Sequence, residues 1–190
     1  TSWNGDKNVR TPVLDRLAAE CTHFDTTISG TPVCCPYRAS LITGQYPLTN
    51  GVFINDVELK PNGPTIAQAF AGAGYRTGYI GKWHMGEGND NARPGFDYWA
   101  SHKGQGQYYD TEFNVNGTRQ VMKGYYADTV TNLAKDFLKG TSGPFALVVG
   151  HKAPHGLWLP EAKYEHALDG VTVTKPPTAA PGPGTPDWVA

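Results

Sequence analysis

Two short strand-type runs constrain this chain more than any other feature. Tyr75 to Ile80 and Pro144 to Val149 each flow straight into glycine and then cations: Gly81-Lys82-Trp83-His84 after the first, Gly150-His151-Lys152-Ala153-Pro154-His155 after the second. The second run does not alternate, the pattern of a strand covered on both faces. Helical patterns precede each run, so helix and strand alternate through residues 11–150. That order predicts an α/β fold with a mainly parallel sheet flanked by helices. In such sheets ligands collect beyond the carboxyl ends of strands. The two cation-rich segments therefore belong at one sheet edge, although about 70 residues separate them.

The remaining elements follow from period and punctuation. Thr11 as cap, Pro12 at the first position, and Leu14, Leu17, Ala18 and Cys21 at i, i+3, i+4, i+7 predict an amphipathic helix over about 12–20. Cys21 on that face reads as a packed small hydrophobe. Phe24 to Ser29 is compatible with a short strand, residues 30–36 with a turn, and 37–43 with one or two helical turns closed by Gly44. Thr65 caps a further helix, with Ile66, Ala69, Phe70 and Ala73 on one face and Gly74 as its stop. Residues 86–124 show no clear period, and long ordered loops in compact domains are usually functional. Tyr126, Val130, Leu133 and Phe137 share a face of a helix over about 125–139, ended by Gly140. Five prolines and two glycines between Thr174 and Ala190 point to an extended connector.

Bulk properties exclude several classes. A chain of 190 residues can bury a sizeable core. Its formal net charge of −1 argues against a nucleic-acid binder built on bulk charge. No apolar run approaches the roughly 20 residues that cross a bilayer. Three cysteines, two of them adjacent, argue against a disulfide framework.

The chemistry centres on residues 33–44, Val-Cys-Cys-Pro-Tyr-Arg-Ala-Ser-Leu-Ile-Thr-Gly, read as the nucleophile segment of a hydrolase acting on an anionic ester. A tyrosine-phosphatase loop needs five residues between cysteine and arginine; the positions six past Cys34 and Cys35 are Ser40 and Leu41, so that reading fails. Adjacent cysteines are poor geometry for one zinc ion. A papain-like thiol paired with His84 or His155 stays open, with nothing to single out a pair.

Cys34-x-Pro36-x-Arg38 followed by Leu41-Ile42-Thr43-Gly44 resembles the signature of the type I sulfatases, within the alkaline-phosphatase-like superfamily. Only Cys34 fits, because Pro36 directly follows Cys35. Gly74-Tyr75-Arg76-Thr77 through His84 resembles that family's second signature, and Thr11-Pro12-x-Leu14-Asp15-x-Leu17-Ala18 its upstream segment. Pro94 to Trp99, Phe113 to Gly117 and His151 to His155 look like the heparan-type glycan sulfatases, of the N-acetylglucosamine-6-sulfatase kind. The resemblance implies that Cys34 is oxidised to formylglycine by a formylglycine-generating enzyme. One hydroxyl of its hydrate would attack sulfur, and the other would expel sulfate. It further implies that Arg38 holds the nucleophile's oxygen, Lys82 binds a sulfate oxygen, His84 handles a hydroxyl proton and His155 protonates the leaving oxygen. His151 and Lys152 become candidates for substrate binding. Trp83, Trp99 and Trp158 are candidates either for stacking on sugar rings or for core packing.

The sequence departs from the family in two ways. Tyr37 stands where a small residue is usual. The family's divalent cation, usually Ca²⁺, is held by an Asp-Asp pair and an Asp-Asn or Asp-Gln pair, and neither is present; as formylglycine, Cys34 would be the one ligand here. The resemblance therefore implies a piece of a catalytic domain, incomplete at both ends, spanning 1–173, with 174–190 as connector or truncated continuation. Little turnover is expected of the isolated chain. The implied reaction is hydrolysis of sulfate esters on a sulfated carbohydrate, in a secreted, periplasmic or lysosomal setting. A phosphonate or phosphodiester hydrolase of the same superfamily and a non-catalytic binder of sulfated sugars are the alternatives.

Overall fold

The computed structural model describes residues 1–86, 88–176, 179–186 and 188. They form two compact units, Thr1–Thr27 with Pro160–Ala190, and Ile28–Leu159.

In the smaller unit α1 spans Pro12–Glu20, as its period predicts. The Thr11 hydroxyl donates to Asp15 and does not cap a helix amide. The apolar stripe of α1 is not buried: Leu14 and Leu17 are about half exposed. Cys21 is exposed too, which corrects its reading as a packed side chain. The expected strand at Phe24 to Ser29 is irregular backbone.

The larger unit holds α2 (Cys34–Thr43), α3 (Pro47–Asn50), α4 (Ile66–Gly72), β1 (Arg76–Lys82), β2 (Tyr98–His102), β3 (Glu112–Val115), β4 (Thr118–Val121), α5 (Tyr126–Lys139) and β5 (Phe145–Gly150). Helix α2 begins at Cys34, three residues before the expected start, so the turn assigned to 30–36 ends early. Helix α4 carries a capping box in which Thr65 and Gln68 exchange side-chain and backbone bonds. Its buried residue is Ala67, one position off the expected Ile66/Ala69 face.

The five strands form one sheet in the order β4-β3-β2-β1-β5. The centre is parallel, β1 pairing with β2 on one side and β5 on the other. The β3–β4 hairpin closes one edge antiparallel. Three of these strands lie in the region that showed no period. Strand β2 is buried on both faces after its first residue, and β4 is exposed on both, so neither alternates. Strand β5 departs from expectation in the other direction. Its apolar run is only half-buried, because β1 is its one neighbour among the described strands.

Both faces of the sheet are covered. Tyr79 and Ile80, adjacent in β1, belong to opposite layers. Tyr79 packs with Cys35, Ala39 and Ile42 of α2 and with Trp83, Met85 and Trp99. Ile80 packs with Tyr126, Val130, Leu133 and Phe137, the predicted face of α5, and with Ala100 and Phe113. Trp83 and Trp99 are core residues, 5% and 1% exposed, while Trp158 is 75% exposed.

Candidate active site

Register brings the two cation-rich segments together. Gly81 of β1 pairs with Gly150 of β5, so Lys82 and His151 leave the sheet side by side at its carboxyl edge. Gly81 has φ +101°, and a Cβ there would lie 2.2 Å from the Gly150 carbonyl oxygen. Only glycine permits this approach of the two strand ends.

Helix α2 delivers the rest. Val33 is its extended N-cap, and Asn55 Oδ1 accepts from the Cys35 amide at 3.0 Å, satisfying one first-turn donor. The two cysteines then diverge. Cys34 lines a cleft of about 450 Å³ together with Ser29, Tyr37, Arg38, Lys82, His151, Lys152 and His155. Cys35 is fully buried, its thiol donating to the His84 carbonyl, and burial raises its pKa. Arg38, one turn beyond Cys34, donates from Nη1 to the Lys82 carbonyl at 2.6 Å. The Tyr79 hydroxyl donates to that same oxygen, and Tyr79 is so enclosed that its pKa is pushed up to about 12. One carbonyl at the end of β1 thus ties the guanidinium to the sheet.

Six of the seven sequence-predicted site residues, Cys34, Arg38, Lys82, His151, Lys152 and His155, line this one cleft. The seventh, His84, is buried, with φ +54°. Burial first, then Lys82 and Arg38, lower its pKa to about 4. Burial also lowers the pKa of Lys82, opposed by Cys34 and reinforced by Arg38 and Lys152. His155 titrates below its ordinary value through burial and then Lys82 and Lys152.

Sequence reasoning missed three supporting residues. Gln105 touches Lys82, His84 and Lys152. Tyr108 holds the second cation loop: its hydroxyl donates to the His155 carbonyl at 2.6 Å, and its ring lies 5.1 Å from Lys152 Nζ. Tyr126 bonds His102 Nε2 at 2.7 Å and lies 3.2 Å from the Gly150 carbonyl. For Gln105 and Tyr108 the signal in the sequence was the run Gly104-Gln105-Gly106-Gln107-Tyr108-Tyr109, polar and aromatic side chains set among glycines inside a long loop; Tyr126 read only as part of an apolar helix face.

Among the described residues no Asp or Glu lines the cleft, and no group of three or more His, Cys, Asp and Glu is gathered to hold a metal. Calcium takes six to eight oxygen ligands. The described residues do not fit that ion. What the cleft offers is Arg38, Lys82 and Lys152 facing one space, with no carboxylate among the described lining residues. Such a site takes an anionic group beside Cys34.

His84 and His102 are both buried and both lowered to about 4, chiefly by burial. Between the ordinary histidine value near 6.5 and about 4 the unfolded chain binds more protons than the folded one, so stability rises with pH across that window. Acidification from pH 7 to 4 is therefore expected to lower the urea midpoint. The His102→Gln variant should lose part of that dependence; an unchanged slope would contradict the assignment.

Fold and cleft together define a parallel-cored α/β protein with a cation-lined cleft at the carboxyl edge of its sheet. The chain belongs to the sulfatase family: a family model described as Sulfatase matches residues 1–174. An ulvan-active sulfatase of Formosa agariphila is 40% identical over 166 residues, 80% of this chain and 32% of that protein. An N-acetylglucosamine-6-O-sulfatase of Bacteroides thetaiotaomicron is 34% identical over 168 residues, 86% of this chain and 29% of that protein. A solved structure bound to its substrate D-glucosamine-2-N,6-O-disulfate superposes with a TM-score of 0.87 at 32% identity, covering 93% of this chain and 36% of that one. The phosphonate monoester hydrolase of Agrobacterium radiobacter, 20% identical with a TM-score of 0.60, shares the fold. The chain spans about a third of the length of the first two relatives.

Proposed function

We propose that this chain carries the nucleophile half of a sulfuric ester hydrolase acting on a sulfated glycan. The observation that carries the reading is the cleft in which Cys34 shares one space with Arg38, Lys82, Lys152 and His155 and, among the described residues, with no carboxylate. Cys34, at the first turn of α2 and open to that cleft, suits conversion to formylglycine; Cys35 in the core does not. As formylglycine, residue 34 supplies a hydrated aldehyde whose one hydroxyl attacks sulfur and whose other releases sulfate.

The remaining roles fall to side chains in and beside the cleft. Arg38 is held against β1 and presents a permanent charge one turn from residue 34. Lys82 and Lys152 lie where charge develops on the sulfuryl oxygens, and their burial strengthens that interaction. His84, neutral at physiological pH, accepts a hydroxyl proton. His155 lines the cleft and protonates the leaving oxygen, while His151 contacts substrate. The sulfated-carbohydrate class is supported by relatives whose names specify ulvan and N-acetylglucosamine-6-sulfate. A formylglycine-generating enzyme is the required partner. A secreted, periplasmic or lysosomal setting accords with an extracellular sulfatase homologue of Drosophila melanogaster, 32% identical over 190 aligned residues. No helix among the described residues is long and apolar enough to cross a membrane.

The test uses the whole protein that contains this chain, produced with the oxidising enzyme. A sulfate ester and a phosphate ester of one alcohol are compared directly. Preference for phosphate would replace the reading with the phosphoester alternative; binding of sulfated sugar without turnover would favour the binder. The leaving-group role is separable. His155→Ala is expected to slow an alkyl sulfate by about 10²–10⁴-fold. It should slow an aryl sulfate with an acidic phenol far less, because that group departs without a proton. Equal losses on both substrates would remove His155 from the role.

A further inference from the structure

We propose that Gln105 is a positioning residue: its side-chain amide, clamped by Lys82, holds His84 as the Nδ1-protonated tautomer, with Nε2 as the accepting atom. For its functional consequence this rests on the reaction proposed above; the geometry stands without it.

Gln105 Oε1 bonds Lys82 Nζ. An ammonium donates and cannot accept, so the atom facing it has to be the amide oxygen. This fixes which end of the amide is which. The amide nitrogen is then the atom lying 3.0 Å from His84 Nε2, and it donates. A proton on Nε2 would set two N–H donors against each other. Nε2 therefore carries the lone pair and the ring proton sits on Nδ1, which lies 3.6 Å from Cys35 Sγ, a weak acceptor.

The clamp is well supported. Lys82 and His84 are each 3% exposed, so water does not readily substitute for the amide. The loop carrying Gln105 is seated on β2: a Cβ on Gly106 would lie 2.7 Å from the His102 ring. The Gln105 carbonyl accepts from Lys152 Nζ at 3.3 Å, so one residue ties together the lysines of both strand ends and the histidine between them. The lowered pKa of His84, set by burial and by Lys82, points the same way. In the reaction the consequence is direct. A histidine that takes a hydroxyl proton must be neutral, which burial and Lys82 secure, and must carry its lone pair on a fixed nitrogen, which Gln105 sets. Because that lone pair accepts from the Gln105 amide, the amide has to yield Nε2 before a hydroxyl proton is taken there.

The test needs no turnover. Long-range ¹H–¹⁵N spectra of the ¹⁵N-histidine-labelled chain at neutral pH report which ring nitrogen of His84 is protonated. The Nδ1–H tautomer is expected in the unaltered chain, and an Nε2–H or cationic ring would overturn the proposal. In Gln105→Leu the donor is gone, and His84 should pass to a tautomer mixture. In Gln105→Glu, a near-isostere that folds if the leucine variant does not, the carboxylate only accepts, so His84 should carry a proton on Nε2. A His84 signal unchanged in both variants would also overturn it. In the whole enzyme Gln105→Leu should lower kcat about 10–100-fold with little change in KM. Absence of turnover in every form would count against the proposed reaction while leaving the tautomer result to decide the role of Gln105.

Discussion

Gly81→Ala is expected to destabilise the larger unit by about 3 kcal/mol or more. Two costs combine at this position. The residue has φ +101°, outside the range that alanine adopts without strain, and its Cβ would lie 2.2 Å from the Gly150 oxygen and 2.9 Å from the Gly150 carbon. Both obstacles are backbone in a paired strand, so no side chain can swing aside. The Tyr126 hydroxyl, 3.1 Å from the same point, closes the remaining side. Urea unfolding followed by tryptophan fluorescence measures the effect, since Trp83 and Trp99 are buried beside β1. Gly74→Ala is the control. It also has positive φ (+80°), but a Cβ there meets nothing within 4 Å, so about 1 kcal/mol is expected. Equal losses at the two glycines would mean that the close approach of β1 and β5 is not what makes Gly81 necessary.

The second large effect falls on chemistry. In the whole protein Cys34→Ala should reduce turnover of a sulfate ester by about 10⁴-fold or more, the scale of removing a nucleophile from a preorganised site. It should also abolish the mass change of about 18 Da, sulfur replaced by oxygen with loss of two hydrogens, on the peptide holding residue 34. Cys35→Ala should behave oppositely. Its sulfur sits in the α2 core against Tyr79 and Trp83, so the change should cost about 1–2 kcal/mol of stability. Modification at residue 34 should remain. Intact-peptide mass spectrometry and urea unfolding on the two variants separate these outcomes. Retained turnover in Cys34→Ala would sink the proposed mechanism.

Much of this was legible in the chain, for physical reasons that differ from place to place. Helix α5 was readable because its buried face repeats every helical turn and water covers the other side. The meeting of Lys82 with Lys152 was readable because both follow strand-type runs, and parallel strands bring their carboxyl ends to one edge. The β2, β3 and β4 strands were not readable. Tyr98-Trp99-Ala100-Ser101-His102 is buried on both faces while holding polar residues whose partners come from elsewhere: Ser101 donates to the Gly81 carbonyl, and His102 bonds Tyr126. Hydrophobicity does not encode a strand stabilised in that way. Gln105 was invisible for a similar reason. Its importance lies in three partners, the closest 21 residues away in sequence, and nothing local marks it. The split between the two cysteines was half legible. The proline after Cys35 singled out Cys34 by resemblance, but only the helix start places one sulfur in the cleft and the other in the core.

The pairing of Gly81 with Gly150 also works as a ruler. Residues advance about 3.3 Å along a parallel strand, and successive side chains point to opposite faces. A slip of one residue between β1 and β5 would turn Phe145 through Val149 inside out. A slip of two would keep the faces but carry Lys152 and His155 roughly 6–7 Å along the sheet, far enough to separate them from Lys82 and Arg38. The distance between cations drawn from opposite halves of the chain is thus set in discrete steps by a hydrogen-bond ladder, not tuned continuously by loops. Insertions between the two strands that leave Gln105 and Tyr108 in place can lengthen or redecorate that stretch without changing the distance, provided the ladder keeps its count.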